Sequence, residues 1–248
     1  MMRTVKNLIG YTVRAVDGDI GEIHDVFFND YDWFVRYIIV NLEKGSDQAA
    51  RRVLLSPHIF KQPQEGEEII PVVLNREMVM NSPKFGTENP LSRQQEIELH
   101  TYYQWPFYWN AGGLMSYPLV ELETQMKDHD ALPEEQPDPH LRSAREVIDY
   151  NIRARDGDIG HLADFLVDGE TWKIQYILVD TGNWLPGRKV ILSPQWIQQI
   201  DWSDAFIQVD LKKETIRHSP EYDPNAPLDE AYQKQLFEYY VHGKGEEK

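Results

Sequence analysis

Three aspartates, Asp17, Asp19 and Asp25, recur further along the chain as Asp156, Asp158 and Asp164. Clustered carboxylates are the raw material of a calcium loop. Such a loop needs oxygen ligands at alternate positions, glycine at the sixth and a bidentate glutamate at the twelfth. Here the glycine comes second, as Asp17-Gly18 and Asp156-Gly157. That order signals a tight hairpin, because glycine tolerates the positive φ such a turn demands. The aspartates are assigned to turns. Eight histidines are present, but none forms His-x-His, His-Glu-x-x-His or a pair at helical spacing, the arrangements that hold zinc. They read as surface or singly bonded core histidines. No serine sits in a Gly-x-Ser-x-Gly elbow, and no glycine-rich phosphate loop occurs. Ser56 and Ser193 each precede proline and read as helix N-caps. With no cysteine in the chain, thiol catalysis, disulfides, zinc–thiolate sites and iron–sulfur clusters are excluded. No catalytic residue, cofactor or metal ligand is assigned, and the chain is read as not an enzyme.

The aromatic residues carry more. Trp105-Pro106-Phe107-Tyr108-Trp109 places four large rings within five residues. Rings in such a group either cover the core and seal a domain interface or form a surface that recognises a partner. Trp184, in Gly182-Asn183-Trp184-Leu185-Pro186-Gly187, poses the same choice at a hairpin tip. Trp105, Phe107, Tyr108, Trp109 and Trp184 are the candidate partner or domain-interface residues. The first reading expects Trp105 and Trp109 to be largely buried.

The elements that must position these residues are written twice. Residues 11–40 align with 150–179 at a constant offset of 139, with identities that include Asp17-Gly18-Asp19-Ile20-Gly21, Trp33, Tyr37 and Val40. The offset then drops to 137, where Leu55-Ser56-Pro57 meets Leu192-Ser193-Pro194 and Tyr102-Tyr103 meets Tyr239-Tyr240. Val35–Val40 and Ile174–Val179 are β-branched and aromatic, and read as buried strands. Gly21 and Gly160 mark a bulge or a corner. Short helices are expected after Ser56 and Ser193. Each copy then ends in a longer helix, with Ser92 and Gln95 as a capping box, Asp229 as the second N-cap and Gly243 as a terminator. Between the copies, residues 121–138 hold one lysine and seven acids, 1 − 7 = −6, with prolines 133, 137 and 139 close together. That composition reads as an extended linker. The expected organisation is a first domain over 1–110, including its terminal helix and the aromatic extension. A linker over 111–139 and a second domain over 140–248 complete it.

Composition sets the outer limits. The charge is 25 − 41 = −16, which argues against direct nucleic-acid binding, since phosphates call for a positive field. No run approaches the 18 apolar residues of a membrane helix, and the opening residues lack a signal-peptide core. A cytoplasmic protein without a transmembrane segment is expected.

The turn pattern resembles the PRC-barrel family. The residues that carry the resemblance are Leu8-Ile9-Gly10-Tyr11, Asp17-Gly18-Asp19-Ile20-Gly21, the strand to Val40 and Leu55-Ser56-Pro57, with their second copies. The resemblance implies a mainly β fold, two tandem small antiparallel β-barrels each followed by a terminal α-helix. The family includes the cytoplasmic domain of the photosynthetic reaction-centre H subunit and the C-terminal domain of a ribosome maturation factor. No catalytic motif defines it. The implied function is a non-enzymatic binding or scaffold protein, an accessory to a photosynthetic or other electron-transport assembly. The alternative is a ribosome- or RNA-processing factor that acts through protein contacts. The expected partner is a protein, with pairing of the two barrels or a homodimer as further contacts.

Overall fold

The computed structural model describes residues 2–42, 51–64, 66–85, 91–109, 140–182, 188–224, 226 and 228–245. The linker expected over 111–139 lies outside them. Strand outweighs helix, 41% against 25%, so the protein is mainly β. The first half runs β1 (Met2–Thr4), α1 (Val5–Leu8), β2 (Thr12–Ala15), β3 (Gly18–Asn29), β4 (Val35–Leu42), β5 (Arg52–Leu55), β6 (Ile69–Pro71), α2 (Arg76–Met80) and α3 (Arg93–Tyr103). The second half repeats the plan. It runs β7 (Leu141–Ser143), α4 (Ala144–Val147), β8 (Asn151–Ala154), β9 (Gly157–Asp168), β10 (Ile174–Asp180), β11 (Lys189–Leu192), β12 (Ile197–Asp201), β13 (Phe206–Val209), α5 (Lys213–Arg217) and α6 (Glu230–Gly245).

Two mixed sheets result. One has the order β5-β4-β3-β2-β6, with β7 also on β3; the other has β11-β10-β9-β8-β13-β12, with β1 also on β9. Hairpin neighbours are antiparallel, whereas β2–β6 and β8–β13 are parallel. Among the described residues neither sheet is closed into a barrel, and the all-antiparallel arrangement expected from the sequence is corrected to mixed sheets by the parallel pairs. After β5 and β11 the chain forms a 3-10 turn, Pro57–Ile59 or Pro194–Trp196. Beyond it, β12 pairs with β13. The equivalent stretch of the first half contributes a single bridge, Phe60 to Val72, and then meets Pro63, which has no N–H to give.

The hairpin glycines do what their positions suggest. The register slips between Val13, opposite Gly21, and Arg14, opposite Asp19, which inserts one extra residue. Gly21 has φ +151°, and a Cβ there would lie 1.9 Å from the Asn41 carbonyl oxygen. Gly160 repeats this, 1.9 Å from Asp180 O. The bulge lets one strand cross close against another's backbone, and only glycine leaves room.

The chain forms two compact units. One comprises Met1–Tyr11, Phe28–Arg36 and Arg142–Lys248. In it, β1 pairs antiparallel with β9, Met2 opposite Asp168 and Thr4 opposite Leu166. Lys6 N donates to both Asp164 carboxylate oxygens at 3.2 and 3.3 Å. Phe28 packs on Phe165 at 5.0 Å, and Ile174 N donates to Trp33 O at 2.8 Å. The other unit comprises Thr12–Phe27 and Tyr37–Leu141. Its core gathers Val13, Ile20, Ile23, Tyr37, Ile39, Val53, Leu55, Ile70 and Leu99, all within 2% of full burial.

Helix ends follow the sequence in part. Ser92 and Gln95 form the capping box of α3, and Asp229 accepts from Tyr232 N at 2.8 Å. Two details differ. Ser56 and Ser193 make no side-chain cap bond, and the Ser56 hydroxyl lies 2.7 Å from His58 Nδ1 instead. Helix α6 passes Gly243 and runs to Gly245, since glycine permits termination without requiring it. No helix among the described residues is long and apolar enough to cross a membrane.

Candidate functional site

The recurring aspartates are spent on structure. Asp17 accepts from Arg76 N at the start of α2, and Asp156 from Lys213 N at the start of α5, both at 2.8 Å. Asp19 pairs with Arg14 at 2.6 Å and Asp158 with Arg153 at 2.9 Å. Asp25 and Asp164 accept the following backbone N–H, Val26 and Phe165. Asp17 and Asp156 thus tie their hairpins to the following helix, Asp19 and Asp158 brace the hairpin from within, and Asp25 and Asp164 bond the adjoining backbone. Among the described residues no three His, Asp or Glu side chains are grouped to hold a metal ion.

Polar groups converge instead beneath the aromatic segment. Arg93, Glu96 and His100 stand three and four residues apart on α3, so they share one face. That face lies against Tyr37 of β4. The Tyr37 hydroxyl is 2.8 Å from Glu96 Oε1 and 2.9 Å from His100 Nε2. Arg93 donates to Glu96 Oε2 at 2.7 Å, and the Tyr108 hydroxyl donates to Oε1. Glu96 is 0% exposed and His100 3%.

The end of α3 brings the rings over this group. Gln104 adopts the left-handed conformation, φ 58°, and turns the chain back so that Trp105 N donates to His100 O at 2.8 Å. Trp105, 7% exposed, stacks on Tyr103 at 4.2 Å with 9° between planes. Phe107 stacks on His100 at 5.6 Å, and Trp109 meets it at 5.2 Å. Arg93 lies 4.2 Å over Trp109. The Pro106 carbonyl sits 2.8 Å from His100 Nδ1. His100 is therefore the hub on which the segment is folded. Burial among these rings pushes its pKa down to about 4, and burial drives the Tyr37 phenol well above its ordinary range. His58, edge-on to Trp105 at 5.2 Å, is also shifted down by burial. It takes up the Ser56 hydroxyl at Nδ1, 2.7 Å.

Four of the candidate residues thus come together. Trp105 is buried, and Phe107, Tyr108 and Trp109 are half-buried, all packed on their own unit. Trp184 lies outside the described residues. The polar members, Tyr37, Arg93, Glu96 and His100, are not singled out by any sequence motif. A signal does exist in the comparison of the two copies. Arg93, Glu96 and His100 become Glu230, Gln233 and Phe237, while neighbouring Leu99 and Tyr103 stay as Leu236 and Tyr240. A half that keeps its core and changes one polar face has changed something specific. No protein-family model matches the chain, and no curated protein matches it.

Proposed function

We propose that the chain is a non-enzymatic binding protein, a scaffold of two halves related to the PRC-barrel family. One observation carries this reading, a difference between the halves at equivalent places. The second half sets Arg155 against Asp210 at 2.6 Å. The first half has Val16 and Val73 there, 68% and 52% exposed. The backbone is alike at both: Val16 N donates to Leu74 O as Arg155 N donates to Leu211 O. Met78 and Met80 stand exposed on α2 where the second half has Thr215 and Arg217. The fold tolerates a charged pair at this place, so packing gives no reason for exposed valines. Apolar surface that the scaffold does not require fits a surface kept for a protein partner.

By family analogy the partner belongs to a photosynthetic or other electron-transport assembly. The rival is a basic ribosomal protein, which the net charge of −16 would attract. The test gives the first half the second half's solution, Val16→Arg with Val73→Asp. The variant is expected to keep its melting temperature and to lose a protein that co-purifies with the tagged wild type from native cells. Membrane redox proteins among those captured favour the first assignment, and ribosomal proteins the rival. Capture that the double variant leaves unchanged rules this surface out.

A further inference from the structure

The hydrogens around Tyr37 do not add up for an ionised Glu96 beside a neutral His100. His100 Nδ1 faces the Pro106 carbonyl oxygen at 2.8 Å, and a carbonyl only accepts. Nδ1 therefore carries the hydrogen. In the neutral ring that burial favours, Nε2 then offers only a lone pair, so the Tyr37 hydroxyl 2.9 Å away must donate to it. A tyrosine has one hydrogen to give. Yet the same hydroxyl oxygen lies 2.8 Å from Glu96 Oε1. With Glu96 ionised, two oxygens would meet at hydrogen-bond distance with no hydrogen between them, inside a fully buried site.

We propose that Glu96 and His100, bridged by the Tyr37 hydroxyl, hold one shared proton that stays bound at neutral pH. Placed on Glu96, the proton completes a chain. Glu96 Oε1 donates to Tyr37, Tyr37 donates to His100 Nε2, and His100 Nδ1 donates to Pro106 O. Moved to His100, it would reverse the inner bonds and leave a charged ring among aromatic side chains whose burial disfavours that charge, so the proton rests on Glu96.

The groups that face the trio set its balance. Arg93 on α3 favours the carboxylate, but its side chain is 28% exposed and water screens it, whereas the Glu96 side chain is 0% exposed. Tyr108, from the aromatic segment, donates to Oε1 in either state. His58, from the turn after β5, opposes a charge on His100. The second half drops the pair as a unit: Gln233, the neutral isostere of a protonated glutamate, stands at the place of Glu96, and Phe237 at that of His100.

Infrared difference spectroscopy of the full chain at pH 7, wild type against Glu96→Gln, tests the proposal. The wild type should show the carbonyl stretch of a protonated carboxylic acid, shifted by deuterium and missing from the variant. A wild type with no such band overturns the proposal. Stability provides a second readout. If Glu96 keeps a proton that the unfolded chain releases at about 4.3, the folding constant of Glu96→Gln relative to wild type should rise with pH, by up to tenfold per unit through neutrality. A variant that is less stable at pH 7, by a margin that does not change above pH 5, overturns it equally.

Discussion

A histidine ringed by Trp105, Phe107, Tyr108 and Trp109 is poorly placed to carry a charge alone. Its pKa of about 4 lies below the ordinary value near 6.5 in an unfolded chain. A depressed pKa makes its contribution complete above the unfolded value and erodes it as pH falls toward the folded one. In Glu96→Gln, where His100 is the member of the trio left to titrate, stability should fall by about 3 kcal/mol between pH 6.5 and pH 4. Urea denaturation of that variant across the interval measures the slope. A flat profile would mean that His100 takes up its proton without disturbing the fold. The rings of this site are legible in the chain as a run of neighbours. Arg93, Glu96 and His100 are not, because their meaning rests on Tyr37, which lies 59 residues from Glu96 and 63 from His100. No local spacing rule spans that distance.

At the scale of single elements, the Asp-Gly hairpins and the glycine bulges follow from local chemistry and are readable in advance. The positive φ and the missing side chain at Gly21 serve one geometry, a strand crossing within reach of the Asn41 carbonyl. Gly21→Ala should therefore cost about 3 kcal/mol, combining backbone strain with overlap against backbone that cannot step aside. A thermal melt beside Gly10→Ala separates the two terms, because Gly10 has φ +92° with nothing within 4 Å of its Cβ. Similar losses in both variants would leave strain as the sole cause. Strand direction was the element-level expectation that failed, since β2–β6 and β8–β13 run parallel. Strand propensity marks which residues extend, but it does not say in which direction two distant strands meet.

At the scale of the molecule, the repeat in the sequence and the compact units divide the chain differently. One unit takes its first eleven residues from the start of the chain and most of the rest from 142 onward. Leu166, Val167 and Asp168 of β9 have their partners at Thr4, Arg3 and Met2. Cleavage between residues 128 and 140 should thus yield two fragments that elute together from a sizing column without denaturant. The fragment from 140 onward, purified from urea, should regain a cooperative melt only when the N-terminal fragment is returned. A sharp melt of the later fragment alone would show β1 to be dispensable. Internal similarity cannot reveal such an exchange, because Met2-Arg3-Thr4 and Leu141-Arg142-Ser143 read equally well as the opening strand of either copy.

The pairing of β1 with β9 also sets a timetable for the newborn chain. Met2 leaves the ribosome well ahead of Asp168, opposite it, which is made 166 residues later. At about 5–20 residues per second, that is a wait of roughly 10–30 s. Throughout it the opening strand has no native neighbour on β9, and its backbone donors and acceptors are open to other partners. Vectorial folding cannot finish this unit until β9 has been made.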